Sequence, residues 1–153
     1  MDQLVLKKLV TQSANDTFTQ AAIPTYIEAN GKSGWQINAI EAYWVDGISV
    51  AAGDWKLNAI VSVQDSVTTF ADDEEIGRLS WGMQNTAGVA VAVPLEPLRG
   101  MALLTPRITV QPYIYAGVES SGTSQANDVI FRIYYEQVKL SDGEVVKMLL
   151  GGA

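Results

Sequence analysis

Two groups of side chains in this sequence have the types and spacing to do chemistry. Asp72, Asp73, Glu74 and Glu75 form a run of hard oxygen donors that could hold a calcium ion. The spacing is not that of an EF-hand, and four adjacent carboxylates repel one another without a cation. The plainer reading is a solvated acidic loop that also discourages unwanted strand pairing. Glu41, Arg132 and Glu136 fall in segments that alternate as strands. Paired carboxylates on neighbouring strands serve many glycoside hydrolases, yet alternation alone does not place Glu41 opposite Glu136. For such positions, a solvent-facing or arginine-paired glutamate is the commoner arrangement.

The rest of a catalytic kit is missing. The chain contains no histidine and no cysteine, so it lacks the side chain that ordinarily titrates between about pH 5 and 8. It also lacks a thiol nucleophile, a disulfide and a thiolate metal site. Gly31-Lys32-Ser33 resembles the end of a phosphate-binding loop, but Tyr26 stands where its first glycine belongs. No GxGxxG, HExxH or GxSxG is present. The expectation is a protein without enzymatic activity or cofactor, working through shape and surface.

Aromatic residues supply the remaining candidates. Trp35, Trp44, Trp55 and Trp81 could make a sugar-stacking platform. Trp35, Trp55 and Trp81 share the apolar phase of their segments, which points to the core. Tyr113 and Tyr115, or Tyr134 beside Tyr135, sit opposite an aliphatic phase and are better placed for exposed contacts.

The elements that would carry these residues are strands. Trp35, Ile37 and Ala39 alternate, and then the phase shifts to Ile40, Ala42 and Trp44, which predicts a bulge near Ala39 and Ile40. Trp55, Leu57, Ala59, Val61 and Val63 make the cleanest alternation, with only Ile60 out of step. Further strands are expected over residues 4–10, 16–23, 78–84, 89–95, 108–115 and 129–138, and a short piece over 48–52. Pro112 marks the 108–115 segment as an edge or bulged strand, and residues 119–128 read as a polar loop. Ser141 and Glu144 have capping-box spacing ahead of Val145, Val146, Met148, Leu149 and Leu150, which predicts a short C-terminal helix. The pattern contains no βαβ alternation and defines an all-β, antiparallel β-sandwich.

At 153 residues the chain is expected to form a single β-sandwich domain. Residues 1–30 would be N-terminal strands or an arm, and 141–153 a helical tail. Nearly half the residues are apolar and 18% are charged, which suits either one large core or strands covered by self-association. The net charge is −7 with the cations mostly scattered singly, so strong nucleic-acid binding is not expected. The first residues lack the pattern of a secretion signal, and no stretch approaches the ~18 apolar residues of a membrane span.

In strand count and strand–loop rhythm, over roughly residues 35–140, the chain resembles the single jelly-roll coat proteins of small icosahedral viruses. The resemblance implies a jelly roll of about eight strands and self-assembly into a capsid or similar shell. It implies location in a virion after synthesis in the host cytoplasm, with copies of itself and other virion proteins as partners. Many such proteins carry a basic N-terminal arm for the genome. This chain instead begins with an apolar strand, a departure that fits coat proteins of membrane-containing tailless viruses better. Leu4, Leu6, Val10, Tyr113, Tyr115, Val146, Leu149 and Leu150 are the expected assembly contacts, because the terminal apolar faces exceed what one core accommodates. The alternative is a carbohydrate- or receptor-binding sandwich, for example on a phage tail or a secreted enzyme.

Overall fold

The alternating segments become nine strands in a computed structural model that describes residues 3–27, 32–45, 54–65, 75–86, 89–93, 100–123 and 125–151. They are β1 (Leu4–Thr11), β2 (Phe18–Pro24), β3 (Ser33–Trp44), β4 (Trp55–Ser62), β5 (Glu75–Thr86), β6 (Val89–Val93), β7 (Gly100–Thr109), β8 (Tyr113–Ser121) and β9 (Asp128–Lys139). One helix, α1 (Asp142–Gly151), follows. The expected piece over 48–52 lies outside the described residues.

Two antiparallel sheets result, ordered β1-β9-β3-β7 and β2-β8-β4-β5-β6. The pairs β1–β9, β2–β8, β3–β7 and β4–β5 nest inside one another. The chain thus folds as one long ribbon, its first half against its second. Successive pairs of the rolled ribbon fall in alternate sheets, which is the strand order of a jelly roll. β6 is added beside β5 at one sheet edge.

The inner faces of the two sheets make the core. Ile37, Ile40, Phe131 and Ile133 from one sheet pack with Leu57, Val61, Ile114 and Val118 from the other. The pairing register of β3 shifts between Ile37 and Ala39. The bulge at Asn38 lies one residue ahead of its expected place and lets Trp35 and Ile37, then Ile40 and Ala42, all reach the core. Ile60, out of step in the sequence, is buried because β4 is covered on both faces.

Two expectations are corrected. Residues 108–115 are not one strand. β7 ends at Thr109 and β8 begins at Tyr113 in the other sheet, so Pro112 sits at a crossing between sheets, where no ladder donor is needed. The polar segment 119–128 is not simply a solvated loop. β8 continues to Ser121, and Gln12, Ser120, Thr123 and Asn127 are buried together. Gln12 donates to Ser120 Oγ at 2.7 Å and to the Thr17 carbonyl at 2.6 Å, while Asn127 donates to Gln12 Oε1 at 2.8 Å. These bonds close one end of the sandwich with mutually hydrogen-bonded polar groups rather than apolar ones, Asn127 Oδ1 alone among them lacking a partner. Gly122, at φ 70°, lies against the Asp54 carbonyl, where any Cβ would collide.

The expected capping box is present. Ser141 donates from its backbone N–H and hydroxyl to Glu144 Oε2 at 2.7 and 2.8 Å, and its Oγ accepts from the Glu144 N–H at 3.3 Å. Those donors hold the Glu144 carboxyl below the usual carboxylate range. α1 places Val145 and Met148 on a small second cluster with Val110, Leu140, Ile108 and Val138.

Candidate functional site

Paired residues of antiparallel strands share a face, so the register defines what each sheet shows to solvent. On the four-stranded sheet, one outward row is Val5, Tyr134, Ala39; the next is Lys7, Arg132, Glu41; the third is Leu9, Ile130, Tyr43. Val5 and Leu9 are each 53% exposed and Tyr43 44%, an unusual apolar content for the outer face of a sheet. Glu41 ties the middle rows together. It pairs with Arg132 at 3.5 Å and accepts a hydrogen bond from Tyr134 Oη at 2.9 Å. That bond, with burial and the charge of Glu41, raises the Tyr134 pKa above its ordinary value. A shallow depression of about 270 Å³ opens beside the cluster, lined by Glu41, Tyr43, Ile130 and Arg132.

This geometry does not make a glycosidase pair. Glu136 lies two outward positions along β9 from Arg132, the partner of Glu41. Strand spacings therefore set the Cα atoms of Glu41 and Glu136 roughly 14 Å apart, and the Glu41 carboxylate is engaged by Arg132 and Tyr134 instead. Glu75 accepts from Arg78 Nη2 at 3.0 Å on the five-stranded sheet, and the two side chains are 6% and 4% exposed. Asp72, Asp73 and Glu74 lie outside the described residues. Among those residues no cluster of acidic side chains has the arrangement to hold a metal.

The aromatic candidates separate cleanly. Trp35, Trp55 and Trp81 are buried, and Trp44 packs beside Trp55 and Trp81 with ring centroids at 5.5 and 6.4 Å. Tyr134 faces outward, whereas Tyr135 turns inward and stacks on Trp35 at 3.8 Å. Of the expected assembly contacts, Val10 is buried in the core and Leu6 packs against it, while Leu4 is exposed at the strand start. The outward apolar residues of β1 are Val5 and Leu9, opposite in phase to Leu6 and Val10. Tyr113 is exposed and Tyr115 half-buried on the outer face of the five-stranded sheet. Val146 is exposed on α1, and the side chains of Leu149 and Leu150 lie outside the described residues. Tyr26, unremarked as a surface residue, has φ 56° and projects into solvent between Thr25 and Ile27.

Strand order and nested pairing define the class as a jelly-roll β-sandwich. Solved structures of the same architecture include capsid protein VP1 of Trichodysplasia spinulosa-associated polyomavirus. The likeness covers 91% of this chain and 96% of that one, with a TM-score of 0.55 and 7% sequence identity. The same VP1 in complex with 3'-sialyllactose matches over 88% and 94%, with a TM-score of 0.53 and 7% identity. No protein-family model matches the sequence, and no curated protein does.

Proposed function

We propose that this chain is a structural protein whose copies assemble into a viral capsid or similar shell. The observation that carries this reading is the jelly-roll strand order, together with a likeness that spans nearly the whole of both this chain and a capsid protein. The whole chain, residues 1–153, acts as one sandwich unit, with α1 as its tail. Its partners are copies of itself and other virion proteins, and its place is the virion after synthesis in the host cytoplasm. Genome contact is slight, given a net charge of −7. No helix among the described residues is long and apolar enough to cross a membrane.

Size-exclusion chromatography with light scattering, and electron microscopy of the same fractions, tests the proposal. Megadalton particles are expected. A protein that stays monomeric across concentration and ionic strength overturns it. A second reading, glycan binding, draws support from the VP1 complex with 3'-sialyllactose and from the Arg132–Tyr43 depression. It predicts saturable changes in intrinsic fluorescence on titration with sialylated glycans, lost in Arg132→Ala.

A further inference from the structure

We infer that the outer face of the four-stranded sheet is a self-contact surface. A second copy packs on it about a two-fold axis that crosses the strands at Ile130, setting Arg132 of each copy against Asp128 of the other. The inference rests on the shell reading and names one contact within it.

The argument starts from the order of residues along β9. Its outward positions are Asp128, Ile130, Arg132, Tyr134 and Glu136, alternating with the buried Val129, Phe131 and Ile133. Arg132 and Asp128 are each two residues from Ile130, about 6.8 Å to either side. A two-fold axis across the strands at Ile130 therefore exchanges a cation for an anion at equal distance, twice per contact. The row on the axis is Leu9, Ile130 and Tyr43, which meets its own copy as an apolar centre with charges around it, the usual anatomy of an interface.

Charge supports the same face. Around the axis Lys7 and Arg132 balance Glu41 and Asp128, with Glu136 farther along β9, while the chain as a whole carries −7. Two acidic copies repel least where cations are exposed. The depression lined by Glu41, Tyr43, Ile130 and Arg132 then faces Asp128 and Val45 of the second copy. A two-fold axis along β9 would instead set Arg132 on Arg132, which the charges disfavour. Four strands spaced at ~4.8 Å over about eight residues span only roughly 500 Å². This is below the ~800 Å² per partner of a free-standing complex, so the contact suits a lattice that repeats it.

The test is charge reversal read by sedimentation equilibrium, with circular dichroism as the folding control. Arg132→Glu alone sets Glu against Asp128, and Asp128→Arg alone sets Arg against Arg132. Each is expected to weaken self-association about tenfold or more. The double variant Arg132→Glu/Asp128→Arg rebuilds the pairs and is expected to associate like the native protein. An equimolar mixture of the two single variants is expected to associate as well, which separates the contact between copies from the loss of the Arg132–Glu41 pair within one copy. Leu9→Ser, at an exposed position, is expected to weaken association without changing the fold. If the native protein assembles and the single variants assemble equally well, or the double variant stays impaired, this contact is wrong while the shell reading stands. A native protein that never self-associates overturns both.

Discussion

On the five-stranded sheet the Arg78–Glu75 pair is closed off from water, and on the four-stranded sheet the Arg132–Glu41 pair stands partly in it. The first pair meets at 3.0 Å with side chains 4% and 6% exposed; the second meets at 3.5 Å with 50% and 24%. Their surroundings differ in the same sense. Asn58 and Ile60 on the outer face of β4 are buried, whereas Val5, Leu9 and Tyr43 on the opposite outer face are exposed. Two chemically similar strand faces thus do different work. One holds its ion pair away from water, although Tyr113 on that face is exposed. The other keeps apolar and charged groups available for contact with something outside.

The widest contrast should come from breaking the covered pair. Glu75→Gln leaves the Arg78 guanidinium buried beside a neutral amide, and removal of one partner from a desolvated pair costs about 3–5 kcal/mol. Arg132→Ala on the other face should cost no more than about 1 kcal/mol. Urea denaturation of the two variants measures both, and equal losses would end the distinction between the faces. Ile60→Ala is a little less severe on average, at about 2–5 kcal/mol for a fully buried isoleucine.

The same truncation at an exposed site sharpens the contrast. Leu9→Ala removes a larger side chain than most surface changes do, yet it should alter unfolding free energy by only about 0.5 kcal/mol. Its effect belongs to association instead. A loss comparable to that of Ile60→Ala would mean that Leu9 is packed within the chain, and the four-stranded face would no longer qualify as a surface held open for a partner.

The strands themselves were legible because burial on one face writes alternation into a sequence. Trp55 to Val63 and Val129 to Tyr135 show this directly, and Ser141 with Glu144 announced the helix start through local hydrogen bonding. The strand order was not legible. β1 meets β9 through contacts more than a hundred residues apart, and period-two patterns do not say which strand lies beside which. Ile60 stood out of step for a related reason, since cover on a second face comes from distant chain. The outward row of the candidate surface was half visible. Val5 and Leu9 are apolar in the sequence, but only pairing with Ile130 and Tyr43 turned scattered residues into a face. Gln12 and Asn127 carried no signal, because a buried amide looks like a surface amide until its partners are known.

Tyr134 offers the finest probe of the exposed face. Its phenol donates to the Glu41 carboxylate, and that hydrogen bond, burial and the negative charge of Glu41 together raise its pKa. A raised folded-state pKa means that the bond stabilises the fold fully below the ordinary tyrosine value of about 10. The contribution is lost as pH rises through the folded-state value. Ultraviolet difference titration of the native protein against Tyr134→Phe isolates this phenol from the other tyrosines. Glu41→Gln removes the charged acceptor, and the Tyr134 titration should move down toward the ordinary value; an unchanged titration would show that Glu41 does not set it. The measurement also reaches the comparison of the two faces. A second copy over the four-stranded sheet adds burial around Tyr134, and burial disfavours the phenolate. Titrations run at rising protein concentration should therefore shift upward for Tyr134, while those of tyrosines away from this face stay where they are.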